Sequence, residues 1–222
     1  MADATTHTVI LALPEDTALD WSHVSQILAF HGRPAAVPLT VFPVRHRRLT
    51  AWFGRWSSRH LLEPARRHGA VTTAAGGRLS RLNLQGLATA ARTKASTRWW
   101  TWHTHIERTT PTARPWADFL AEHRRDPAKV TLTDARRRFE AQPRITAMLA
   151  YNSYPAAPHT LDPYEVDAYQ GGEAVYVALH WQHALVGDAL VHPDGRLLQP
   201  ASESIPDRLR YLADAGRVVH TL

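Results

Sequence analysis

Residues 98–108, Arg-Trp-Trp-Thr-Trp-His-Thr-His-Ile-Glu-Arg (RWWTWHTHIER), decide how the middle of the chain is read. They hold three of the eight tryptophans, two histidines at i,i+2 and a glutamate, and they alternate with a period of two. That period predicts a strand, because successive side chains on a strand point to opposite faces. Trp99, Thr101, His103, His105 and Glu107 would then share one face, and Trp100, Trp102, Thr104 and Ile106 the other. Upstream, RLSRLNLQ (78–85) is a candidate partner strand, and GLATAARTKAST (86–97) reads as a polar, Ala-rich link between the two.

Towards the N-terminus, HTVILAL (7–13) predicts a buried strand. Asp20 is placed to cap a helix running to about Phe30, with Trp21, Val24, Ile27 and Leu28 on one face. Val37–Val44 reads as a second strand, weakened by Pro38 and Pro43. This β-α-β opening has no Gly-rich loop between its first strand and helix, which argues against a nucleotide-binding Rossmann or P-loop start. RHRRLTAWFGRWSSRHLL (45–62) has the spacing of an amphipathic helix, with Leu49, Trp52, Phe53 and Trp56 on its apolar stripe.

Towards the C-terminus, short helices are expected from Pro115, from Thr133 or Asp134, and after Pro143. The Pro- and Gly-rich run YPAAPHTLDPYEVDAYQGGE (154–173) is the best candidate boundary. Beyond it AVYVALHWQ (174–182) and ALVGDALV (184–191) read as strands and HPDG (192–195) as a turn. A helix from Ser204 to Gly216 and a last strand, Arg217–His220, complete the chain. The expected fold class is α+β: a mixed or antiparallel sheet with packed helices, plus a smaller β-rich lobe. The expected division is a basic lobe, 1–150, and an acidic lobe, 151–222, packed on it.

Composition narrows the function classes. With 44% hydrophobic and 21% charged residues, the 222-residue chain has the make-up of a folded protein. The absence of cysteine removes disulfides, thiolate nucleophiles and Cys-bound zinc. With no long apolar run and no signal-like start, a cytoplasmic protein with no membrane anchor is expected. Its 24 arginines and 2 lysines are unevenly spread: residues 33–144 hold 22 of these cations against 7 acids, residues 151–222 only 4 against 9. A basic middle beside an acidic end is the asymmetry that would focus a polyanion.

Three functional expectations follow. The first is a nucleic-acid-binding, DNA-binding type of protein preferring single strands. Arg45, Arg47, Arg48, Arg55 and Arg59 would track phosphates while Trp99 and Trp102 stack on bases. The second is a divalent metal site (Mg, Mn or Zn) built on His103 and His105 with Glu107 beside them, serving phosphodiester chemistry or a small-molecule enzyme. The third is an interaction factor, an inhibitor or assembly protein, whose Trp/Arg surface meets a protein partner.

His103-Thr104-His105, followed by Tyr151 and Tyr154, resembles the HUH endonucleases, which nick single-stranded DNA. In them a His-hydrophobic-His strand holds the ion and a downstream helix supplies a tyrosine nucleophile. The resemblance implies Tyr151 or Tyr154 as that nucleophile, although Thr104 stands where the family has a bulky apolar residue.

Overall fold

The computed structural model describes residues 8–13, 20–33, 36–39, 41–45 and 60–221. Eight α-helices and small sheets make up the described residues, an α+β fold. Contacts divide the chain into two interleaved units. The first comprises Met1–Ala90, Gln182–Gln199 and Tyr211–Leu222, the second Ala91–Trp181 and Pro200–Arg210.

In the first unit, β1 (Val9–Leu11) is followed by α1 (Trp21–Phe30). The Asp20 carboxylate caps α1, accepting the His23 backbone N–H at 2.9 Å. This satisfies one of the donors left open at a helix start. Val24 and Leu28 bury themselves against Leu62, with Val9, Leu11 and Trp21 around them.

A second cluster gathers Phe42, Val44, Leu61, Val71, Ala74 and Leu82. It lies among β2 (Phe42–Pro43), β3 (Leu61–Leu62), β4 (Ala65–Arg67), β5 (Ala70–Ala74) and β6 (Gly76–Gly77). These pair antiparallel in the order β2-β5-β4, with β3 on β6. The strand expected over Val37–Val44 is thus reduced to Phe42–Pro43. The amphipathic helix expected over 45–62 falls almost wholly outside the described residues.

The remaining strands are β7 (Ala189–Val191) and β8 (Leu197–Leu198). β7 pairs parallel with β1, Val9 opposite Ala189 and Leu11 opposite Val191, and antiparallel with β8. Gly187 opens β7 at φ +67°, where a Cβ would lie 2.5 Å from the Thr8 carbonyl oxygen, so glycine is the residue that fits. The expected HPDG turn forms, the Gly195 N–H donating to the His192 carbonyl at 2.8 Å.

The second unit is helical, and here the pattern-based reading fails. Residues 84–105 form one helix, α2 (Leu84–His105), which takes in the expected link and Trp/His strand together. Ala95, Trp99, Trp102 and Ile106 are buried at spacings of four, three and four, the stripe of a helix. The period of two came from alternating Thr with Trp and His, whereas the large buried groups follow 3.6. Expected starts are observed for α3 (Trp116–Arg125) and α5 (Pro143–Asn152), while α4 (Leu132–Glu140) starts ahead of Thr133 because Thr131 caps it.

After α6 (Val166–Gln170), α7 (Glu173–Val186) replaces the expected strand AVYVALHWQ, with Tyr176 and Leu179 buried on one side. The last helix, α8 (Ile205–Thr221), runs through Gly216 and absorbs the expected final strand. Trp102, Tyr169, Tyr176, Phe139, Ile145, Met148 and Leu161 are the large fully buried side chains of this unit's core.

Candidate nucleic-acid interface

On α2, residues two apart leave the helix about 200° apart, so His103 and His105 do not project in parallel. The His103 ring stacks on Trp99 at 4.8 Å, and its Nδ1 contacts the Glu107 carboxylate. His105 is exposed and lies beside the Tyr151 ring, 5.6 Å between centroids. His103, His105 and Glu107 therefore do not form a three-ligand set. Among the described residues no three His, Asp or Glu side chains gather in that way.

The tryptophans expected to stack on bases are interior groups. Trp99 is 9% exposed and its Nε1–H donates to the Tyr169 carbonyl at 3.0 Å. Trp102 has no exposed surface and lies between the Tyr169 ring, 5.2 Å away, and the Arg144 guanidinium, 5.4 Å away. Of the phosphate-tracking arginines, Arg45 is exposed, while Arg47, Arg48, Arg55 and Arg59 lie outside the described residues. Tyr154 is exposed. The Tyr151 hydroxyl is buried without a hydrogen-bond partner among the described residues, and burial pushes its pKa up, making a phenolate harder to form.

Exposed positive charge collects instead on the α3–α4 hairpin. Arg124, Arg125, Lys129, Arg136, Arg137 and Arg138 are all exposed, against five acids on the same hairpin, Asp118, Glu122, Asp126, Asp134 and Glu140. Four of these five are already engaged, Asp118 with Arg114 at 3.6 Å. Asp134 accepts from Arg137 at 2.9 Å and from the Thr131 hydroxyl at 2.7 Å, and Asp126 accepts the Lys129 backbone N–H at 3.2 Å. Glu122 pairs with Arg114 at 2.6 Å and Arg138 at 2.9 Å, and the Arg114 partnership, ahead of the others, holds its pKa below the ordinary range. Arg124, Arg125, Lys129 and Arg136 have no ion-pair partner among the described residues, so their charge is open to a polyanion.

The hairpin stands on a rigid base. Phe119 and Phe139 meet edge to face at 5.8 Å, and Trp116 meets Phe139 at 5.4 Å, joining α3 to α4. Two glutamines grip the extended segment that leads into α3. Gln170 exchanges two hydrogen bonds with the backbone of Ala113, at 2.8 and 2.9 Å, and Gln142 two with Arg114, at 2.7 and 3.1 Å. Behind them Arg144, only 5% exposed, donates to Thr110 Oγ1 at 3.1 Å, the Thr110 carbonyl at 2.7 Å and Gln170 Oε1 at 2.7 Å. A buried guanidinium is tolerated only when its donors are met in this way.

A second polar network fills the same unit. The Tyr176 hydroxyl donates to that of Tyr169 at 2.9 Å, and His180 Nε2 lies 3.2 Å from Glu165 Oε2. Burial, reinforced by the Glu165 charge, pushes the Tyr176 hydroxyl up to about 12 and that of Tyr169 further. Burial opposes ionisation of Glu165, but its hydrogen bond to His180 and the charges of His180, Arg208 and Arg98 bring its pKa below the ordinary value. Sequence pattern missed this cluster because AVYVALHWQ reads as a strand, which separates Tyr176 from His180. The helical spacing i,i+4 of those two residues was the available signal.

Comparison with known proteins gives no matching family model, no matching curated protein and no matching solved structure. No helix among the described residues is long and apolar enough to cross a membrane.

Proposed function

We propose that the chain binds nucleic acid through the phosphate backbone, using the α3–α4 hairpin as its contact surface. The observation that carries this reading is the set Arg124, Arg125, Lys129 and Arg136, exposed and without ion-pair partners among the described residues, on a hairpin where four of the five acids are engaged. Arginine and lysine so presented neutralise phosphates and release counterions, which supplies affinity without reading sequence. With Trp99 and Trp102 buried, the preference for single strands loses its stacking platforms, and contact with the backbone of either form remains.

The test is a titration of labelled single- and double-stranded oligonucleotides at several salt concentrations, with the wild type and with Arg124→Gln/Arg125→Gln/Arg136→Gln. Affinity that falls steeply with salt and drops in the triple variant is the expected result. Absence of salt-sensitive binding at low ionic strength would sink the reading and send the search for partners of these cations to acidic protein surfaces.

A further inference from the structure

We infer that the first unit carries a binding site for a small planar aromatic acid, in a cavity beside α1 at the carboxyl ends of β1 and β7. β1 and β7 run parallel, and the Ala12 N–H continues their ladder to the Val191 carbonyl at 2.9 Å. Just past these ends, Leu13 and Val191 join Ile27 as the apolar part of a cavity of about 390 Å³. In sheets of parallel strands, the crevice beyond the carboxyl ends is where ligands collect, and pockets of this kind begin at roughly 300 Å³. That volume suits one fused ring system and is small for a dinucleotide.

The lining is more specific than a gap in packing. α1 buries Val24 and Leu28 in the core, yet it turns a second stripe, His23, Gln26, Ile27 and Phe30, to the cavity at spacings of three, one and three. A helix that only covered a sheet would carry charged, solvated residues there. His31 and His192 complete the polar rim. Asp194 sits next to His192 but is spent: it accepts from Arg196 Nε at 2.7 Å and lies 2.7 Å from His192 Nδ1. The rim therefore offers imidazole and amide groups with no uncommitted carboxylate among its lining residues, the setting for an anionic oxygen.

Phe30 is 86% exposed and meets the His31 ring edge-on at 5.3 Å. An aromatic face left in water beside an apolar cavity is a platform for a flat ring. The inference concerns the first unit alone and stands whether or not the hairpin binds nucleic acid.

The test uses 2-naphthoate as probe and 2-naphthalenemethanol as its neutral counterpart, followed by saturation-transfer NMR and probe fluorescence on the full chain. Saturable binding of the acid with a Kd below about 1 mM is expected, with the alcohol at least about tenfold weaker. Ile27→Trp fills the cavity and should abolish binding of both. If that variant lowers Tm, Gln26→Trp at an exposed position blocks the same mouth. His31→Gln/His192→Gln should weaken the acid and leave the alcohol unchanged. No saturable binding, binding that survives both blocking variants, or equal affinity for acid and alcohol would each overturn the assignment.

Discussion

The indole Nε1–H of Trp99 donates to the backbone carbonyl of Tyr169 at 3.0 Å, tying α2 to α6 through a buried bond. It makes Trp99 a structural residue in the interior of its unit, not a surface for a base. Trp99→Phe keeps most of the apolar contact and leaves that carbonyl with the Gly172 N–H alone, at 3.2 Å, a cost of about 1 kcal/mol. Trp102→Ala opens a void at a fully buried site and should cost about 3–5 kcal/mol. Chemical denaturation measures both. Oligonucleotide affinity, compared under conditions where the variants stay folded, should not move; a selective loss of binding in Trp99→Phe at unchanged stability would return that ring to the interface.

Charge on the hairpin predicts a slope as well as an affinity. Each arginine that touches a phosphate adds about 0.9 to the steepness of log K against log salt on duplex DNA, and about 0.7 on single strands. Arg124→Gln/Arg125→Gln/Arg136→Gln should flatten the slope by up to about three such steps. Arg138→Gln, whose partner is Glu122, should instead cost only a little stability. A slope unchanged by the triple variant would place the contact elsewhere on the chain.

Where local chemistry decides an element, the sequence was legible. Asp20 caps α1, Pro143 opens α5, and the HPDG turn joins β7 to β8. Where tertiary packing decides, it was not. Residues 98–105 and 174–182 are rich in Trp, Thr, Val and Tyr, which favour strands, yet Trp99, Trp102, Tyr176 and Leu179 find a common interior only as helix faces. The candidate interface was half legible: Arg136, Arg137 and Arg138 stand out as a cluster on a helix exterior. Their relation to Arg124 and Arg125 depends on the α3–α4 fold-back. Arg144 looks like one more surface arginine until its neighbours in space, Trp102, Thr110 and Gln170, are known.

Tyr151 offers a test of its own. Its hydroxyl is buried with no partner among the described residues, a desolvation cost of roughly 1–3 kcal/mol that the folded state carries. Tyr151→Phe removes that atom and preserves the ring contact with His105, so stability should hold or rise, by up to about 1 kcal/mol. A loss of more than that would mean that the hydroxyl is bonded. A nicking role would need this hydroxyl, so strand cleavage present in the wild type and lost in Tyr151→Phe would speak against a purely structural residue.

The Tyr176 hydroxyl predicts an alkaline limb in the stability profile. In the unfolded chain the group ionises near its ordinary value of 10, in the folded protein near 12, because burial and the Glu165 charge disfavour the phenolate. Between those values the unfolded state holds fewer protons, so this group's contribution to stability falls as pH rises from about 10 and levels off beyond about 12. Two units correspond to on the order of 2–3 kcal/mol from this group at full ionisation. Tyr169 and Tyr211, both shifted upward by burial, contribute in the same direction. Tyr176→Phe should therefore make the decline between pH 10 and 12 shallower without erasing it, whatever it does to stability at neutral pH. Urea denaturation at half-unit steps over that range reads the slope directly, and an identical decline in wild type and variant would show that the Tyr176 hydroxyl titrates as an ordinary, hydrated phenol.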